Sequence, residues 1–97
     1  MPTYILLSNW TEQGIKNVKD SPKRLDAGRA MAKQHGCELT DFYMTMGPYD
    51  MVAVLDAPDD EAAARHVLAL GAGGNIRTTT LKAFPEATYR SIIAELG

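Results

Sequence analysis

The stretch from Met44 to Asp56, Met-Thr-Met-Gly-Pro-Tyr-Asp-Met-Val-Ala-Val-Leu-Asp, limits the possible folds more than any other part of the chain. Gly47-Pro48 marks a turn, because glycine accepts positive φ and proline presets φ. Cys37 to Met46 reads as the strand before it and Met51 to Leu55 as the strand after it. An even-numbered loop puts Phe42, Met44, Met46, Met51, Ala53 and Leu55 on one face, and Asp41, Tyr43, Thr45, Asp50, Val52, Val54 and Asp56 on the other. The first face is uniformly apolar and is expected to lie under helices. The second is mixed.

The flanking segments complete the pattern. Tyr4-Ile5-Leu6-Leu7 is a short continuous apolar run, as a strand covered on both faces requires. Thr11 is placed to cap a polar helical turn carrying Ile15 and Val18, and Ser21-Pro22 predicts a restart, with Ser21 as N-cap and Pro22 at the first helical position. Leu25, Gly28, Met31, Ala32 and His35 follow at helical spacing. Pro58-Asp59-Asp60-Glu61 opens a second helix with acids in its first turn. Its apolar stripe reads as Ala63, Ala64, Val67, Leu68 and Leu70, which leaves His66 facing solvent. Ile76 to Ala83, with three consecutive threonines, is a β-rich strand. Phe84-Pro85 breaks it, and Glu86 to Leu96 forms a terminal helix with Tyr89, Ile92, Ile93 and Leu96 on one side.

The order β-α-β-β-α-β predicts a ferredoxin-like α+β sandwich: one domain over residues 1–97, a four-stranded antiparallel sheet in the order 4-1-3-2, and a C-terminal helix. Both crossover helices fall on one side of such a sheet. The face carrying Tyr43, Val52 and Val54 then needs a cover, most simply a second copy, and two facing sheets would enclose a pocket. The sequence therefore predicts a homodimer built as a dimeric α/β barrel. Tyr43, Thr45, Tyr49 and Asp50 are the expected polar lining of its ligand site. There the Tyr49 phenol and Asp50 carboxylate could orient a polar ligand or move a proton. The competing reading has Asp50 tying the turn backbone and Tyr49 packing on the core.

Composition narrows the partners. A net charge of −2 gives no electrostatic drive toward nucleic acid or anionic membrane, and neither is expected as a partner. Six of the ten basic residues fall between Lys16 and Lys33, but the third strand reads Met51-Val52-Ala53-Val54 where an RNA-binding sheet would place stacking aromatics. Cys37 is the one cysteine, which excludes an internal disulfide and points to a reducing, cytoplasmic compartment. The Tyr4–Leu7 run is too short for a signal or membrane segment. His35-Gly36-Cys37 offers two donors where zinc needs three or four, so no metal and no cofactor is expected. Gly71-Ala-Gly-Gly-Asn75 leaves a helix and enters a strand, the reverse of a phosphate cradle. Arg77 just beyond it is an edge-strand arginine within reach of an anion at a pocket mouth. Pro2 would be a secondary amine if Met1 were removed, yet nothing local supplies the donor that tautomerase-type chemistry needs.

Several motifs together resemble a known family. Gly47-Pro48-Tyr49-Asp50 with its apolar strand, Ala57-Pro58-Asp59-Asp60, and Gly74-Asn75-Ile76-Arg77-Thr78-Thr79-Thr80-Leu81 are similar to the GYD domain family, as are Trp10-Thr11-Glu12-Gln13-Gly14-Ile15 and Ser21-Pro22-Lys23-Arg24. The resemblance spans nearly the whole chain. It implies a dimeric α/β-barrel relative with the ferredoxin-like fold, and it designates no catalytic residues. The leading functional expectation is a domain binding a small molecule between or beside the sheets. The alternatives are a cofactor-independent enzyme of monooxygenase or isomerase type in the same pocket, and a structural oligomerisation unit.

Overall fold

Strand β1 (Thr3–Trp10) is the spine of an antiparallel sheet, paired on one side with β3 (Met51–Asp56) and on the other with β4 (Ile76–Ala83). Strand β2 (Glu38–Met44) forms the edge beyond β3, so the order β2-β3-β1-β4 is the expected 4-1-3-2 read from the opposite side. These features come from a computed structural model that describes Met1–Gly97. Helices α2 (Ser21–Gln34) and α3 (Asp60–Ala72) are the two crossovers; α1 (Glu12–Lys16) is a short turn of helix after β1, and α4 (Glu86–Ala94) follows β4.

The β2–β3 hairpin keeps the predicted parity. Met44 faces Met51 and Phe42 faces Ala53 on the helix side, while Tyr43 faces Val52 and Asp41 faces Val54 on the other. A bulge between Leu39 and Asp41 restores the alternation, so that Leu39 and Leu55 also share the core face. The backbone N–H of Thr45 donates to the Asp50 carbonyl at 2.8 Å, closing the loop, and Gly47 takes φ +131°, a region that side-chain-bearing residues avoid. Met46 was expected on the core face; the strand instead ends at Met44 and Met46 sits in the turn, 95% exposed.

Two helix expectations are corrected. Ser21 is not a cap: Val18–Asp20 form a 3-10 turn that runs straight into α2, with Ser21 already in helical conformation. The second correction concerns α3. Asp59 caps it, accepting from the Ala62 N–H at 2.8 Å, but the buried side carries Ala62, Ala63 and His66, whereas Ala64 and Leu68 point outward. His66 is thus buried, not solvent-facing. Packing alanines against the sheet lets α3 approach closely, and the residue one turn on, His66, is carried inward with them.

The core joins Tyr4, Leu6, Ala53 and Leu55 of the sheet to Ala32, Ala62 and Ala63 of the helices. It is rich in alanine, and among large side chains only Leu55 and His66 are fully enclosed. On the opposite sheet face Ile5, Leu7, Val52 and Val54 remain half-buried and Tyr43 and Leu81 exposed. Helix α4 is exposed from end to end, including Tyr89, Ile92 and Ile93. No helix is long and apolar enough to cross a membrane.

Candidate functional site

Three separated motifs meet where β1 ends. The Trp10 N–H donates to Asp50 Oδ2 at 3.1 Å, and the Asp50 N–H donates to the Ser8 carbonyl at 3.0 Å and to Asn9 Oδ1 at 3.1 Å. The Thr11 N–H donates to the Asn75 carbonyl at 3.0 Å, and the Thr11 hydroxyl donates to the Gly74 carbonyl at 2.6 Å. That hydroxyl also accepts the Gly14 N–H at 3.1 Å, so one side chain caps α1 and fastens it to the α3–β4 loop. Gln13 adds bonds to the Gly73 carbonyl and the Asn75 side chain. Gly14 is required by closeness: a Cβ there would lie 2.0 Å from the Asn75 carbonyl oxygen.

The four residues expected to line a ligand site are placed as follows. Tyr43 projects from the uncovered sheet face and is 61% exposed. The Thr45 hydroxyl donates to the Tyr49 carbonyl at 2.6 Å, inside the turn. Tyr49 is half-buried, and the Asp50 carboxylate is occupied by the Trp10 N–H. Thr45, Tyr49 and Asp50 therefore form one connected turn, while Tyr43 stands apart on the sheet. The Arg77 guanidinium lies beside Gly71 in the last turn of α3, where a cation complements the helix dipole.

The main cavity is on the other side of the sheet, between it and helices α2 and α3, and has a volume of about 500 Å3. Leu6, Met51 and Ala53 floor it, Leu25, Gly28 and Met31 come from α2, and His66, Ala69 and Leu70 from α3. Small residues on facing surfaces explain the space: Gly28, Ala53 and Ala69 do not fill the gap that a sheet and its helices leave between them. His66 is 1% exposed and its Nδ1 has no hydrogen-bond partner. Burial, with a smaller contribution from the nearby His35, holds its pKa below the ordinary histidine value, so the ring is neutral near pH 7. The rings of His35 and His66 meet edge to face, 5.6 Å between centroids. Sequence periodicity missed His66 because histidine counts as polar; the signal was its i+3 and i+4 spacing from Ala63 and Ala62.

A second polar cluster pins α3 to the sheet. The hydroxyl of the buried Tyr4 reaches the partly exposed edge of the core and donates to Asp60 Oδ1, and Lys82 Nζ lies 3.0 Å from the same oxygen. The Tyr4 bond, then that of Lys82, hold the Asp60 carboxyl below its usual range; the same bond, together with burial, pushes Tyr4 up to about 12.

Sheet order, one-sided helices and motif placement define a ferredoxin-like α+β domain with a helix-side apolar cavity. More particularly, the chain belongs to the GYD domain family, whose model matches residues 4–93. It is 35% identical over 88 residues to the glutamine synthetase and cystathionine beta-lyase binding protein of Thermus thermophilus, covering 90% of this chain and 93% of that protein. Among solved structures, the crystal structure of MtbAldR superposes with a TM-score of 0.69 at 15% identity, over 88% of this chain and 52% of that one. At that identity the likeness concerns the fold alone.

Proposed function

We propose that this protein works by binding. Two copies close on one another through the uncovered sheet faces, each copy holds a small molecule in its helix-side cavity, and the pair docks on enzymes of amino-acid metabolism. The observation that carries this reading is 35% identity, over nearly the full length of both chains, to a protein named for binding glutamine synthetase and cystathionine beta-lyase. An alignment over 93% of that relative leaves little of it outside the part this chain shares.

The geometry supports each component. Ile5, Leu7, Val52 and Val54 form a contiguous apolar patch on the two central strands, and a self-complementary patch of this kind is what a two-fold interface uses. Helix α4 carries an exposed apolar stripe of Tyr89, Ile92 and Ile93, which offers a surface to another protein. The cavity lies within the 300–1,000 Å3 typical of small-molecule sites. The direct test is calorimetric titration of purified glutamine synthetase and cystathionine β-lyase with the protein. Micromolar or tighter association with either enzyme is expected, weakened by Ile92→Asp. No heat of binding with either enzyme would reject the docking component.

A further inference from the structure

The helix-side cavity is polarised along its length. At one end, beside the junction where β1 stops, it is bounded by Trp10, Ser21, Arg24 and Asn75; at the other, by Met31, Leu39 and Phe42. Most of its polar groups are already engaged or shut off. The Ser8 hydroxyl lies 3.0 Å from that of Thr78, the Asn75 side chain bonds Gln13 and the Gly73 carbonyl, and the unpaired His66 Nδ1 is sealed from solvent. Arg24 differs. It is the single charged side chain of the lining, which holds no carboxylate and no lysine. Its guanidinium donates to the Asn17 carbonyl at 3.1 Å and the Gly14 carbonyl at 3.4 Å. Those two bonds hold the group in place and leave its remaining N–H groups to donate elsewhere.

Resting on the reading that the cavity holds a small molecule, we propose that its ligand is an amphiphilic monocarboxylate whose carboxylate pairs with Arg24 and whose alkyl tail lies along α2 toward Met31. A guanidinium fixed by two carbonyls is a preorganised partner for a planar anion. Ser21, three residues earlier on the same side of α2, brings a hydroxyl to the same end. One cation with no other charge in the lining balances one negative charge, so a phosphate dianion is matched less well. Arg24 is half-buried, so the carboxylate keeps part of its hydration and escapes the cost of full burial. Beyond Arg24 the α2 wall is Leu25, Ala27, Gly28 and Met31. From Ser21 to Met31 the helix runs about 15 Å, room for an extended chain of about ten carbons.

Decanoate, decyl phosphate and 1-decanol share one tail, and titrating each into the full chain by NMR, below micelle-forming concentrations, tests the assignment. Decanoate is expected to bind about tenfold more tightly than 1-decanol, the value of one charge-assisted hydrogen bond, and more tightly than decyl phosphate. The preference over 1-decanol should vanish in Arg24→Gln, survive in part in Arg24→Lys and shrink as salt is added. Ala53→Leu, which fills the floor, should weaken all three. In the wild-type chain the Arg24 Nε–H resonance should shift with decanoate and stay in place with 1-decanol, a readout that needs no variant to fold. Equal affinity for decanoate and 1-decanol, or a preference that survives in Arg24→Gln, overturns the carboxylate assignment while leaving the cavity as a binding site. Tighter binding of decyl phosphate would replace it with a phosphate site. Decanoate binding indifferent to Ala53→Leu would put the ligand outside the cavity and overturn the proposal. Absence of binding by all three would remove the small-molecule component itself.

Discussion

Gly14→Ala is the sharpest test of how the junction at the end of β1 is held, since it adds one methyl group at a defined point. The added Cβ would lie 2.0 Å from the Asn75 carbonyl oxygen, 2.9 Å from its carbonyl carbon and 3.2 Å from its Cα. Ordinary contact requires α1 and the loop at Gly73–Asn75 to separate by about 1 Å or more. The contacts are backbone atoms, which no rotamer change can relieve. That displacement loosens the Thr11 bonds to Asn75 and Gly74, at 3.0 and 2.6 Å. Two partly buried hydrogen bonds contribute about 0.5–1.5 kcal/mol each, and overpacking adds about 1–3 kcal/mol. Replacing a helical glycine returns about 1 kcal/mol. The net loss is therefore about 1–5 kcal/mol, or a fall in melting temperature of roughly 4–40 °C for a domain of this size. Urea and thermal denaturation measure it. Gly28→Ala is the matched control, because its Cβ would meet only Leu70 Cδ2 at an ordinary 3.5 Å; it should be neutral or stabilising by up to about 1 kcal/mol. A Gly14→Ala protein as stable as wild type would refute the reasoning.

Other outcomes follow from the same geometry. Asp50→Ala leaves the Trp10 N–H without its acceptor and should cost about 1–2 kcal/mol; an unchanged urea midpoint would show that the turn is not tied to β1 through this carboxylate. Acidification should destabilise the fold through His66, whose folded pKa lies below the 6.5 of the free side chain. Between those two values the unfolded chain binds a proton that the folded chain excludes, so stability falls as pH drops through that window, and His66→Phe should flatten the dependence. At the alkaline end Tyr4 has the opposite sign of slope. Its folded pKa of about 12 exceeds the 10.0 of the free side chain, so stability declines as pH rises from 10.0 toward 12. Spectrophotometric titration should find a tyrosine ionising at about 12, and Tyr4→Phe should remove that late step.

Much of the architecture was legible because its signals are local. The Ile76–Ala83 strand appears with the expected bounds, since a β-branched run closed by Phe84-Pro85 leaves little choice. The hairpin parity held because a six-residue loop, Thr45 to Asp50, preserves alternation. What the sequence left out depends on distances between elements. Parity identified the apolar face under the helices, but whether side chains fill the space there depends on the residues opposite, and Gly28, Ala53 and Ala69 leave it open. His66 was misplaced because an alanine-rich helix carries a weak apolar stripe whose rotation is fixed only by contact with the sheet. Ser21-Pro22 is a good helix start taken alone, but the 3-10 turn before it supplies a continuous helical path. The convergence of the Gly14, Asp50 and Asn75 segments is non-local, and a list of motifs does not reveal it.

Pairing through the uncovered sheet underlies the proposed mode of action, and sedimentation equilibrium at micromolar concentration tests it most directly. The account predicts a species of twice the 10.6 kDa chain mass, converted to single chains by Val54→Asp with the fold retained by circular dichroism. A wild-type protein that sediments as one chain across that range would contradict it, as would a pair indifferent to Val54→Asp.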